Sequence, residues 1–159
     1  MDSALVLRTQ LLQAQRCEFR AKITADYADK TYTFAMSCRL DAHGNLFFTV
    51  LAPDSISGIT GSVGDDGGKL TFDDQVLGFS LLAEERLSPV SGPWVMMRAL
   101  RSGYIVSCSE GQIMLRDTYE EDAFGVEVWL GEDFLPATAQ IYWQGCRILT
   151  IEVENFSIV

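Results

Sequence analysis

Residues 44–79 read GNLFFTVLAPDSISGITGSVGDDGGKLTFDDQVLGF, and this stretch decides the fold class. Its apolar runs are Leu46–Ala52, Ile56–Val63, Leu70–Phe72 and Val76–Phe79. Pro53-Asp54, the Gly64–Gly68 segment and Asp73-Asp74 cut between them. Short apolar runs bounded by Gly, Asp and Pro form antiparallel meanders. Proline lacks the amide that a central ladder needs, and glycine and aspartate supply turn geometry. No polar group in the stretch is spaced for chemistry. It is also too apolar to be covered from one side only.

Upstream, Asp41-Ala42-His43-Gly44-Asn45 is a turn between two strands. Cys17, Phe19, Ala21, Ile23, Ala25 and Tyr27 alternate with Glu18, Arg20, Lys22, Thr24 and Asp26. After a turn at Ala28-Asp29, Tyr32, Phe34, Met36, Cys38 and Leu40 point inward again, which predicts a half-solvated hairpin. Before it, Ala4, Leu7, Leu11 and Ala14 make one apolar stripe, with Ser3 as the cap and Arg16 near the end. That is an amphipathic helix.

Downstream, Leu81-Leu82-Ala83 leads into the polar loop Glu84-Glu85-Arg86. Pro93 suits the first turn of a second helix over 93–102, because its missing N–H would have been unpaired there anyway. Trp94, Met97 and Leu100 form one face, Arg98 and Arg101 are exposed, and Gly103 is the stop. A meander closes the chain: Tyr104–Ser109, Gln112–Tyr119, Phe124–Leu130, Ala137–Trp143 and Cys146–Ile158. With no repeat or linker, 159 residues predict a single α+β domain with about ten antiparallel strands and two helices.

The formal net charge of −10 excludes the phosphate backbone of nucleic acids and docking on anionic lipid as partners. No apolar run reaches the ~18 residues of a membrane helix, and Met1-Asp2-Ser3 lacks the basic start of a signal peptide. Two readings remain: a cytosolic protein, or one whose export signal has been removed.

Candidate chemistry is sparse. Cys17, Cys38, Cys108 and Cys146 are widely spaced with no CxxC pair, so they predict buried small hydrophobes rather than a zinc site. Cys17 and Cys38 share a face of the hairpin, which leaves a disulfide between them open. The only histidine, His43, has Asp41 nearby but no nucleophile, and reads as a solvated turn residue. Carboxylates such as Asp65-Asp66, Asp117 and Glu120-Glu121-Asp122 match no calcium loop and read as hairpin-tip charges that block edge pairing. Neither Gly58–Gly61 nor Gly64–Gly68 precedes a helix, so phosphate-loop readings fail. No metal, cofactor or catalytic residue is expected. What remains is a surplus of large apolar side chains, either a thick core or the wall of a cavity for a greasy ligand.

Leu46-Phe47-Phe48-Thr49-Val50-Leu51-Ala52-Pro53-Asp54 and Gly67-Gly68-Lys69-Leu70-Thr71-Phe72-Asp73 match a strand, a Pro-acid turn and a glycine-Lys-Leu-x-aromatic strand. With Val128–Pro136 and Ile151–Phe156, they make the chain resemble the LolA/LolB-like lipoprotein-carrier superfamily. More narrowly, it resembles the small predicted lipoproteins of gut Firmicutes. The resemblance implies an incomplete, strongly curved β-barrel with helices covering its concave side. It also implies an extracytoplasmic place in the cell envelope and a lipid anchor upstream of this chain. One departure is that the carriers have an arginine before the strand equivalent to Leu46–Ala52, where this chain has Asp41–Asn45.

The expected function is non-enzymatic: a monomer binding a lipid, acyl chain or lipidated partner in an apolar concave face. Leu7, Leu11, Trp94, Met97 and Leu100 would cover that face, and Phe48, Val50, Ile59 and Trp129 would line it. The alternative is an envelope interaction or regulatory module with a filled core.

Overall fold

Period-two alternation produces long strands here. β1 (Arg16–Tyr27) pairs with β2 (Lys30–Asp41) in unbroken register from Arg16 opposite Asp41 to Tyr27 opposite Lys30. The structure is a computed structural model and describes residues 2–27, 30–72, 75–79, 82–83 and 86–159. The expected turns at Ala28-Asp29 and Asp73-Asp74, together with Leu81 and Glu84-Glu85, lie outside these. On the inner face of the hairpin Cys17, Phe19, Ala21, Ile23 and Ala25 meet Phe34, Met36, Cys38 and Leu40, all buried. Tyr32, expected inward, is half exposed opposite Ala25 near the hairpin's end.

β3 (Leu46–Ala52) pairs with β2, and β4 (Thr60–Gly64), β5 (Gly67–Phe72) and β6 (Gln75–Phe79) follow as the expected meander. The run Ile56–Val63 is not one strand, because a 3-10 turn takes Asp54–Ile56. Gly58 sits at φ 95, a backbone conformation costly to any side chain. Its amide donates to the Val50 carbonyl at 2.9 Å, while the Val50 amide donates to Ile59 at 2.8 Å, closing the loop against β3. A small ribbon, β7 (Leu82–Ala83) with β8 (Arg86–Leu87), and a 3-10 turn at Pro89–Ser91 lead into α2 (Gly92–Ser102).

β9 (Tyr104–Ser109), β10 (Gln112–Arg116), β11 (Gly125–Leu130), β12 (Pro136–Trp143) and β13 (Cys146–Ile158) form the second meander. β13 returns to pair with β1, so the main sheet has eleven strands in the order β6-β5-β4-β3-β2-β1-β13-β12-β11-β10-β9. Among the described residues the edges β6 and β9 do not pair, so the barrel is open. Register shifts at Ala35/Met36, Glu18/Arg20 and Ile141/Tyr142 add local twist and bend.

α1 (Asp2–Gln13) begins one residue before Ser3, which therefore lies inside the helix rather than at its cap. It ends short of Arg16 because the sheet claims those residues. The Gln15 amide donates to the Val159 carbonyl at 2.8 Å, and the Val159 amide donates to Arg16 at 3.0 Å. Ala4, Leu7 and Leu11 are buried, while Leu5, Val6 and Leu12 face solvent. α2 lies on β10–β13 within the concave side, and α1 lies over α2 and β9. Gly92 marks a close approach to the sheet, where a Cβ would stand 2.9 Å from the end of the Leu149 side chain. Gly103 stops α2 as expected, but for another reason. Its φ is −74, and a Cβ would come within 2.3 Å of the Arg116 carbonyl oxygen.

Candidate functional site

The expected apolar face is occupied by the protein itself. Leu7, Leu11, Phe48, Val50, Trp94, Met97 and Leu100 are all 3% exposed or less, packed into one core with Ile59 at its margin. Eight of the eleven residues of α2 are buried. Trp129 is a correction. It pairs with Gln112 and Thr138, one residue out of phase with the buried Val126 and Val128, so it stands on the opposite face of the sheet. A period of two forbids neighbours on a strand from sharing a face.

Four polar attachments hold α2 in place, and the sequence pattern showed none of them. Arg8 on α1 caps the last turn: its Nε donates to the Leu100 carbonyl at 2.8 Å, and its Nη2 to Ala99 at 2.9 Å and Gly103 at 2.7 Å. Burial pulls its pKa down, with Tyr119 acting in the other direction, yet an arginine stays charged and suits the negative end of the helix dipole. The Trp94 indole N–H donates to the Gly44 carbonyl at 2.9 Å, and Arg101 Nη2 donates to Ala42 at 3.2 Å. The turn that lacks an arginine is thus pinned from the helix side. Arg98, expected exposed, lies over the Trp94 ring at 4.3 Å and pairs with Asp117.

Asp117 was expected among solvated tip charges; it is 2% exposed. Its second oxygen accepts the Phe124 amide at 2.8 Å, so the carboxylate closes the β10–β11 connection and clamps α2 at once. A buried charge with two such partners is costly to unpair.

The remaining sequence candidates carry no assembled chemistry. His43 is exposed in its turn, where its backbone amide donates to Asp41. Burial alone would raise the Asp41 carboxyl, but amide donations from Asn45 and His43 outweigh it and hold it below the ordinary value. All four cysteines are free. Cys17 and Cys38 are buried neighbours on the inner face, and burial pushes both thiols up. Among the described residues, no three His, Cys, Asp or Glu side chains are grouped to hold a metal.

The depression with chemical variety is on the other side of the sheet. An open groove of about 860 Å³ crosses the outer face from β13 to β5. Register sets its floor in two rows. Glu18, Arg39, Phe47, Ser62 and Lys69 lie opposite one another across β1–β5, and Arg20, Ser37, Thr49, Thr60 and Thr71 form the row beside them. The stretch that opened as apolar wall thus also supplies polar floor, through its alternate residues. Of the two rows, the alternation of 17–27 showed only Glu18 and Arg20 as facing away from the apolar side, and only strand pairing brings the rest beside them.

No family model and no curated protein matches this chain in sequence. In structure it is similar to a DUF1329 family protein from Desulfovibrio piger, at 13% identity and a TM-score of 0.50, covering 99% of this chain and 90% of that one. It is also similar to a LolA superfamily protein from Nitrosomonas europaea (9%, TM-score 0.49, 98% and 93% covered) and to the Mycobacterium tuberculosis lipoprotein LppX (13%, 0.44, 98% and 95%). At such identity the likeness shows the fold alone: an open, curved antiparallel sheet whose concave side is closed by helices.

Proposed function

We propose that this chain is a non-enzymatic, extracytoplasmic domain of lipoprotein type, held to the envelope by an anchor upstream. It acts as a monomer that recognises an envelope partner through its surface while its interior stays filled. The observation that carries this reading is the burial of α2 in the place where a carried lipid would lie. Admitting an acyl chain there means exposing Trp94, Val95, Met96, Met97 and Leu100. At about 1.5–3 kcal/mol for each large side chain, that costs on the order of 10 kcal/mol. At about 0.8 kcal/mol per buried methylene, roughly a dozen methylenes only restore the balance. The four polar attachments add to that cost.

Native mass spectrometry of purified protein tests this directly, together with Trp fluorescence during fatty-acid titration. The expected result is the bare chain mass and no spectral response. A co-purifying acyl lipid, or saturable quenching of Trp94, would instead restore the lipid or lipidated-partner reading.

A further inference from the structure

We propose that the outer groove across β1–β5 is a binding site for an anionic glycan, a carbohydrate chain bearing carboxylate or sulfate groups. This rests on the reading that the outer surface is the working face.

Charge is the first ground. In a protein of net charge −10, this groove gathers Arg20, Arg39 and Lys69 against a single carboxylate, Glu18. Glu18 is already engaged by Arg16 at 3.4 Å. Arg20 and Lys69 have no ion-pair partner among the described residues. Arg39 is held with its guanidinium over the Phe47 ring, 5.1 Å from the centroid. Arg20 stands opposite Glu154 across β1–β13, so Arg39 and Lys69 are the cations left to meet an anion, and on a surface that otherwise repels anions they make a localised attractive site.

Geometry is the second. Arg39 and Lys69 occupy the same row on β2 and β5, three strand spacings or about 14 Å apart. One small anion cannot touch both, whereas a polymer with repeated charges can. Between and beside them stand the short hydroxyls of Ser37, Thr49, Thr60, Ser62 and Thr71, each able to donate and accept, as sugar hydroxyls require. Phe47 is 38% exposed and supplies the apolar surface for the C–H groups of a sugar ring.

An acidic peptide fits less well. The groove lies on the face of interior strands whose ladders are already paired on both sides, so no free backbone edge can template an extended peptide. A membrane fits worse, because Phe47 is the groove's one exposed large apolar side chain among the described residues.

Isothermal titration of the full chain with oligogalacturonate and with chondroitin sulfate tests the assignment. Neutral dextran and poly-glutamate serve as comparison ligands. An acidic glycan should bind and weaken with salt, dextran should not bind, and poly-glutamate should bind at least ~10-fold more weakly. Lys69→Ala and Arg39→Ala should each lose about 10-fold, the loss of one charge-assisted hydrogen bond, with an unchanged circular dichroism spectrum. No binding of either acidic glycan, binding indifferent to both substitutions, or equal binding of poly-glutamate would each overturn it. Native mass spectrometry of the same sample separates the two readings. Co-purifying lipid would remove the filled interior and leave the groove result standing, whereas a bare chain that ignores acidic glycans would remove the groove alone.

Discussion

β1, β2 and β3 present two faces that differ in every physical respect. On the inner side Phe19, Cys38 and Phe48 are buried in the core, together with Met36 and Val50. On the outer side Arg20, Ser37, Arg39 and Thr49 stand in solvent or at its margin, one residue away along the same strands. The inner face excludes water and packs its side chains into one core. The outer face is held by ladders that its side chains do not need to support, so those side chains are free for recognition.

The contrast predicts a graded series of effects. Asp117→Ala should be the most damaging single change, at about 3–5 kcal/mol of unfolding free energy, because it strands Arg98 at the core's edge and frees the Phe124 amide. Urea denaturation reads this, and a loss below 1 kcal/mol would mean that the clamp is not what holds α2. Met97→Ala should follow with a loss of roughly 3 kcal/mol, since a fully buried side chain leaves a cavity. If the cavity then binds a small apolar probe, the interior is filled by packing alone. Arg8→Met keeps the aliphatic stem but removes three donors from the end of α2. A cost of about 2 kcal/mol is expected, with faster hydrogen exchange at Gly103, whose amide closes the last turn at 2.9 Å.

The thiols give a pH test. Folding raises the pKa of Cys38 and of Cys17 above the ordinary 9.0 through burial. Their contribution is therefore intact below pH 9 and is lost as pH rises beyond it, because the unfolded chain sheds protons that the folded one keeps. The melting temperature should fall above pH 9, and Cys38→Ala should flatten that fall. A slope unchanged in the variant would assign the effect elsewhere. Smallest of all, Lys69→Ala should leave stability within about 0.5 kcal/mol, as expected for a side chain that supports nothing in the fold.

Much of the inner face was legible from the residues. The alternation in 17–27 and 31–40, the Gly and Pro cuts after Leu46, and the Trp94, Met97 and Leu100 stripe give the strands, their buried sides and the second helix with its inward face. Arg98 and Asp117 were misread as solvent charges because their pairing joins residues on different elements, which no local period records. The same holds for Arg8, whose three acceptors lie 91 to 95 residues away.

The sequence by itself determined that residues 44–79 make a meander and that Phe48 and Val50 face inward, because side-chain alternation is a local property of extended backbone. Only the tertiary structure decided what its wall of Phe, Val and Leu meets. That wall packs into the protein's own helix-filled core, because α2 is drawn into the concave side by apolar burial and fixed there by long-range polar pairs. It also decided that Phe47, Ser62 and Lys69 share one row. Cross-strand register depends on the pairing of whole strands, and no single strand contains it.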